Sequence, residues 1–153
     1  MAQRRSATDQ VVLAAMRLVM GISVQAADEV GVVSAVQLRA VTVLSQRPGG
    51  NLGELAQALG VSVSVTSRLV DRLVSAGLAE KRPSATSGRE ISLWLSPEGQ
   101  AVLERYDELR LDRIRARLRE LPAEDAAAVV TGLQALVDGP GRDRARPGPR
   151  SGP

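Results

Sequence analysis

Cysteine and histidine are both missing from this 153-residue chain. Without cysteine there can be no disulfide and no thiol redox sensor. Without either residue the usual zinc ligands are gone, leaving carboxylates, hydroxyls and backbone oxygens, so no metal or other cofactor is expected. Phenylalanine is also absent, and there is a single Trp and a single Tyr. Few rings are therefore available to stack on a planar ligand, and any core must be built from Val, Leu and Ala. No unbroken run of about 18 apolar residues appears, as a membrane-spanning helix would need. The stretch from Val11 to Met20 is interrupted by Arg17 and reads as a core helix. The N-terminus MAQRRSATDQ lacks a signal-peptide h-region with a small-residue cleavage site, so a cytoplasmic location with no membrane partner is expected.

Catalytic signatures are lacking too. Gly60-Val61-Ser62-Val63-Ser64 lacks the closing Gly of a nucleophile elbow, and no His exists to act as a base. No Gly-rich phosphate loop is present. The chain is not expected to be an enzyme.

Apolar residues make up 44% of the sequence, enough for the core of one domain-sized unit. Most of the chain reads helical. Lysine occurs once, at position 81, and the remaining basic residues are arginines. The formal charge of +3 is misleading, because Arg142, Arg144, Arg146 and Arg150 against Asp143 account for it all. The body through Asp138 is neutral, so the high pI says little about partners. Local charge says more. Between Ser62 and Glu90 the basic residues Arg68, Arg72, Lys81, Arg82 and Arg89 face Asp71, Glu80 and Glu90. A modestly basic segment on a neutral body suits contact with phosphates from positioned side chains.

The strongest pattern lies in residues 52–96. Leu55, Ala56 and Leu59 mark the apolar face of a short helix, and Gly60 ends it. Ala56 and Gly60, one turn apart, allow a close helix crossing. Ser62 is a good N-cap for a second helix over about Val63–Ala76. Thr66, Leu69, Val70, Leu73 and Val74 share one face at helical spacing and are assigned to the core. Ser64, Ser67, Arg68, Asp71, Arg72 and Ser75 lie opposite. Gly77 stops this helix, Leu78 to Arg82 reads as a short strand, and Pro83 to Gly88 as a turn-rich loop. Glu90 to Leu95 alternates as a half-buried strand, with Ile91, Leu93 and Leu95 inward and Trp94 on the other face, against a neighbouring loop. Helix, tight turn, helix and hairpin in that order form a winged helix-turn-helix, a device that places one helix in a DNA groove. Arginine can pair bidentately with guanine or hold a phosphate, and Ser can bond bases or phosphates. The expected DNA-binding residues are Ser62, Ser64, Val65, Ser67, Arg68 and Arg72 on the second helix, and Arg89 at the hairpin tip, reaching a minor groove.

The flanks read as helices. The first covers residues 8–30, with apolar Val12, Leu13, Met16, Val19 and Met20, and with Gly21 and Ser23 suited to a bend. Ser34 with Gln37 is a capping-box pattern for the next, ended by Pro48-Gly49-Gly50. Asn51-Leu52 is expected to add a short strand beside the hairpin. Ser96-Pro97-Glu98 opens a long helix to about Glu120, carrying Val102, Leu103, Tyr106, Leu109, Leu111, Ile114, Leu118 and Leu121. Pro122 starts a last helix with a stripe of Ala126, Val129, Val130, Leu133, Leu136 and Val137, and Gly139 stops it. The first and last helices carry more apolar surface than one small lobe can cover, so a homodimer about a two-fold axis is expected. The tail from Gly139, rich in Gly, Pro and Arg, is expected to be disordered, as are residues 1–7.

The segments ELAQALGVSVSVTSRLVDRLVSAGLAEKR and SGREISLWLSPEGQ resemble the MarR family of dimeric bacterial transcription regulators. Upstream, SAVQLRAVTVLSQRPGG is similar to the helix leading into the DNA-binding lobe of that family. The resemblance covers roughly residues 8–138 and is strongest over 52–100. Three positions depart from it: Ser67-Arg68 stands for a Thr-Arg pair, Ser87 for the acidic residue of the Asp-x-Arg wing, and Leu93-Trp94-Leu95-Ser96 for a Leu-x-Leu-Thr strand end. The resemblance implies a mainly α fold with a small β wing, in which residues 34–96 form the winged helix-turn-helix lobe and residues 8–33 and 97–138 supply dimerisation helices. It implies a sequence-specific repressor bound to a pseudo-palindromic operator in double-stranded DNA. It also implies relief by a small aromatic or anionic effector held between the dimer helices and the winged lobe. The alternative reading is a winged helix used for protein–protein contact or dimerisation without DNA.

Overall fold

The computed structural model describes residues 6–31, 33–84 and 91–139. Among these residues six helices and two strands follow in the order α1 (Ala7–Val30), α2 (Ala35–Gln46), α3 (Leu52–Leu59), α4 (Val63–Ser75), β1 (Ala79–Pro83), β2 (Ile91–Leu95), α5 (Pro97–Arg119) and α6 (Ala123–Asp138). The fold is mainly α with a two-stranded antiparallel wing in which Ala79 faces Leu95 and Pro83 faces Ile91. The expected hairpin tip, with Ser87, Gly88, Arg89 and Glu90, lies outside the described residues, as do residues 1–5 and the tail from Pro140.

The chain divides into two compact units, Met1–Arg113 and Ile114–Pro153. In the first, one core gathers Leu38, Val41 and Leu44 from α2, Leu55 and Leu59 from α3, Leu69, Val70 and Leu73 from α4, and Leu93 from β2. Helix α1 adds Ala27 and α5 adds Leu103. Arg105 and Arg113 of α5 both pair with Glu29 near the end of α1.

Local chemistry explains where the elements begin and end. Capping boxes open three helices: Ser6 with Asp9, Ser34 with Gln37, and Asn51 with Glu54. Each satisfies orphan N–H groups at both ends of the box. The first box moves the start of α1 to Ala7, one residue before the expected start. The third overturns the expected strand at Asn51-Leu52. The Asn51 side chain accepts the Glu54 N–H at 2.9 Å, which commits Leu52 to the helix. The strand-like pairing sits upstream instead: the Gly49 N–H donates to the Leu93 carbonyl and the Leu93 N–H to the Gly50 carbonyl, each at 2.9 Å.

Helix α4 ends in a Schellman motif, in which the Leu78 N–H reaches the Leu73 carbonyl and the Gly77 N–H the Val74 carbonyl. Gly77 takes a φ of 72°, a left-handed conformation that other residues adopt at a cost. Leu73 and Leu78, the hydrophobic pair that accompanies this motif, both lie in the core.

Two inward assignments fail at element edges. Val74 is 36% exposed, because it lies roughly a quarter turn from the centre of the buried stripe of α4. Ile91 is 53% exposed, because it pairs with Pro83 at the outer end of the hairpin, beyond the core. Ser92 is buried instead: its hydroxyl donates to the Arg82 carbonyl and accepts from the Trp94 indole N–H. Trp94 packs against the Gly49 turn, as expected, and Arg82 lies 4.9 Å over its ring.

Helix α1 buries only Ile22, Ala26 and Ala27, and no residue of α6 is buried. Val12, Met16 and Met20 stand out from α1, and Val130, Leu133, Leu136 and Val137 from α6. Ser23 sits within an unbroken α1, its hydroxyl donating to the Val19 carbonyl. By length and composition α1 is apolar enough to cross a membrane. A search for an unbroken apolar run misses this, because Arg17 is the lone charge between Asp9 and Asp28.

Candidate nucleic-acid interface

Helix α3, the Gly60 turn and helix α4 form a helix-turn-helix whose angle is set by local bonds. Gly60 turns the chain with a φ of 71°. The Val61 N–H bonds to the Ala56 carbonyl and the Gly60 N–H to the Gln57 carbonyl, closing α3 as Gly77 closes α4. Ser62 then caps α4, its hydroxyl accepting the Val65 N–H at 3.4 Å. Thr66 is fully buried in the crossing, and its hydroxyl donates to the Ser62 carbonyl at 3.0 Å, which leaves no unpaired polar atom there. Thr66, Leu69, Val70 and Leu73 anchor one side of α4 in the core, which fixes the direction of the other side.

That other side carries the residues singled out from sequence. Ser62, Ser64, Val65, Arg68 and Arg72 are exposed, and Ser67 is half-buried at the margin. The hydroxyls of Ser62 and Ser64 lie 3.0 Å apart and bond to each other. These six residues lie on α4 and its N-cap. Arg89, the seventh, lies outside the described residues.

Ion pairing sorts the cations of this lobe. Lys81 bonds to Asp71 at 2.6 Å, tying β1 to α4, and Arg82 bonds to Glu80 at 2.7 Å. Arg68 and Arg72 have no carboxylate partner among the described residues. Among the described residues the charge of Arg68 and Arg72 on the exposed face of α4 is therefore uncompensated, while the two cations of β1 are neutralised by Glu80 of the strand and Asp71 of α4. Exposed pairs such as Lys81–Asp71 contribute little stability. Their effect here is to remove Asp71 as a competitor for the α4 arginines.

A groove of 510 Å3 runs beside α4. Val61, Val65, Arg68, Leu69 and Arg72 form one wall, and Ala35, Val36 and Arg39 of α2 form the other. Arg39 was not among the residues expected from sequence. It sits 29 positions before Arg68, and only the packing of α2 against the helix-turn-helix brings them to one groove. Its available signal was its place on the exposed side of α2, between buried Leu38 and Ala40. No cluster of three or more Asp, Glu, His or Cys side chains that could hold a metal occurs among the described residues.

Comparison with known proteins gives the same assignment. The MarR family model matches residues 33–90, from the approach to α2 to the residue before β2. The chain is 33% identical over 101 residues to the HTH-type transcriptional regulator PetP of Rhodobacter capsulatus, an alignment that takes in 65% of this chain and 60% of that protein. Among solved structures, RV1404 from Mycobacterium tuberculosis superposes with a TM-score of 0.78 at 30% identity, covering 92% of this chain and 99% of that one. The fold is also that of a Staphylococcus aureus MepR mutant solved bound to an oligodeoxyribonucleotide, with a TM-score of 0.65 at 15% identity over 88% of this chain and 98% of that one. With the helix-turn-helix, the wing and these relatives in agreement, the chain belongs to the MarR family of winged-helix transcription regulators.

Proposed function

We propose that this protein is a dimeric, sequence-specific DNA-binding regulator of transcription, acting in the cytoplasm by binding and not by catalysis. The observation that carries the reading is the exposed face of α4, where Arg68 and Arg72 have no acidic partner among the described residues, on a helix locked into the core by its opposite side. The oligonucleotide bound by MepR, a protein of the same fold, supports it. Ser62, Ser64, Val65, Ser67, Arg68 and Arg72 meet the major groove, Arg89 of the wing meets the flanking minor groove, and Arg39 adds a phosphate contact from α2. Residues 34–96 act as the reading lobe. The apolar faces of α1 and α6 are covered by a second copy, so α1 serves assembly and not membrane insertion. Two reading helices about a two-fold axis fit a pseudo-palindrome with half-sites about one helical turn, ~10 bp, apart. Repression relieved by a small aromatic or anionic effector follows from the family resemblance.

The test is a binding titration on the DNA upstream of the protein's own gene, at several salt concentrations, with a scrambled duplex as control. Arg68→Ala is expected to weaken specific binding by about 1–3 kcal/mol and to blur discrimination at one or two base positions. Arg89→Ala is expected to weaken binding to all sequences alike and to reduce the salt slope by roughly one unit, as for one lost phosphate contact. Neither variant should alter the far-UV circular dichroism. Wild-type protein that binds no duplex above the scrambled control would instead favour a winged helix used for protein contact.

A further inference from the structure

The first turn of α4 and the turn before it expose Val61, Val63 and Val65, at 42%, 53% and 49%. Three β-branched apolar side chains in five residues leave about half of their surface outside the core of this chain. Two of them stand in a helix, where valine is a weaker helix former than alanine. Several of the hydroxyls around them already have partners within the chain. The Ser62 hydroxyl accepts the Val65 N–H and bonds to the Ser64 hydroxyl, and the Thr66 hydroxyl donates to the Ser62 carbonyl. From Val61 to Ser75 there is no Asn or Gln, the side chains that read adenine bidentately. The long donors on the helix are Arg68 and Arg72, and both line the groove that Val61 and Val65 also line. In the major groove one base presents an apolar group, the C5-methyl of thymine, and guanine presents the paired acceptors that suit arginine. Recognition helices of this class bring their N-terminal residues to the base edges.

We infer that α4 selects its half-site by apolar contact of Val63 and Val65 with thymine methyl groups, next to guanines held by Arg68 or Arg72. The inference rests on the DNA-binding reading above and adds the chemical identity of what is read. The arginines, unpaired among the described residues, favour DNA as the occupant of this exposed N-terminal end of α4 over a second copy, whose identical surface would bring like charges together. Each thymine methyl removed from water by a valine contributes about fourfold in affinity, the equivalent of about 0.8 kcal/mol per buried methyl.

The experiment selects a preferred duplex from a random library with the wild-type protein. Each thymine of the half-site is then replaced in turn by deoxyuridine, which keeps the base-pairing edge and removes only the methyl. The expected result is a loss of about fourfold at one or two positions per half-site, multiplying to more than tenfold when both half-sites are changed. In Val65→Ser or Val63→Ser the loss at the matching position should vanish, because the variant no longer discriminates thymine from uracil. Both valines are exposed, so the variants should keep the wild-type melting curve. Affinities that stay within twofold at every deoxyuridine position would overturn thymine reading and leave DNA binding standing. A deoxyuridine penalty that persists unchanged in both variants would overturn the assignment to these valines. Failure of the library to enrich any sequence would overturn the DNA-binding reading, and this inference with it.

Discussion

Leu133→Asp is expected to turn the proposed dimer into monomers at micromolar concentration and to reduce operator affinity by about 100-fold or more. Helix α6 has no buried residue of its own, and Val129, Val130, Leu133, Leu136 and Val137 are 42% to 81% exposed along one stripe. An apolar stripe of this length facing water is costly, and a closed two-fold contact between identical stripes removes the cost. A carboxylate placed in that contact would be buried without a partner, and the symmetry axis would bury it twice. About 3 kcal/mol of lost association is roughly 100-fold in the dimer dissociation constant. DNA affinity falls with it, because each half-site would be bound alone, without the high effective concentration that a linked second reading helix provides. Thr131→Asp supplies the control. Thr131 lies on the opposite side of α6, with its hydroxyl donating to the Ala127 carbonyl, and this variant should remain dimeric. Light scattering coupled to gel filtration reads both. A wild type that runs as a monomer, or a Leu133→Asp variant that stays dimeric, would remove α6 from the interface.

The contrast between α4 and its surroundings shows what the sequence could and could not reveal. The helix-turn-helix was legible because its signals are local. Gly60 and Gly77 sit where left-handed backbone is required, Ser62 caps, and the 3.6-residue period of Thr66, Leu69, Val70 and Leu73 separates the buried side from the exposed one. The errors fall where a local signal was ambiguous or the answer was tertiary. Asn51 with Glu54 is a capping box as clear as that of Ser34 with Gln37, yet Asn51-Leu52 reads as a short strand, two residues out of step with the bonds that Gly49 and Gly50 make to Leu93. Ile91 obeyed the strand alternation and still faces solvent, because alternation assigns a side and says nothing of how far the core extends along the hairpin. Arg39 could not be joined to Arg68 and Arg72 without the packing of α2. Nor could the count of basic residues show that Lys81 and Arg82 are spent on Asp71 and Glu80, leaving the charge that matters on α4.

Gly99→Ala is expected to destabilise the winged lobe by about 1–2 kcal/mol or more, although helix propensity alone argues for the opposite sign. Gly99 lies in the first turn of α5, and its backbone is ordinary helix, where alanine is favoured over glycine by roughly 0.5–1 kcal/mol. The reason for glycine is space. The Ser96 N–H donates to the Leu78 carbonyl, and the Ser96 hydroxyl accepts the Gly99 N–H while donating to the Gly77 carbonyl. These bonds hold the start of α5 directly against the chain leaving α4. A methyl on Gly99 would collide with the Leu78 carbonyl oxygen and lie 2.7 Å from Leu95 Cδ1. A rotamer change can move Leu95, but the Leu78 oxygen is backbone, held between the Schellman turn at Gly77 and the first residue of β1. Relief requires α5 to lift from the lobe or the end of α4 to shift, and overpacking of this kind costs about 1–3 kcal/mol or more. Urea or thermal unfolding followed by circular dichroism measures the difference, and a loss of this size should lower the melting temperature by several degrees or more. Because the strained carbonyl belongs to the residue that closes α4, operator binding should weaken as well, at temperatures where the variant is still folded. Gly132→Ala is the matched control. It too is a helical glycine, but apart from its chain neighbours and its own helix backbone nothing lies within 4 Å of the position its Cβ would take, so that substitution should be neutral or stabilising. If Gly99→Ala unfolds at the same urea concentration as Gly132→Ala, the close approach of α5 to Leu78 is not what keeps glycine at this position.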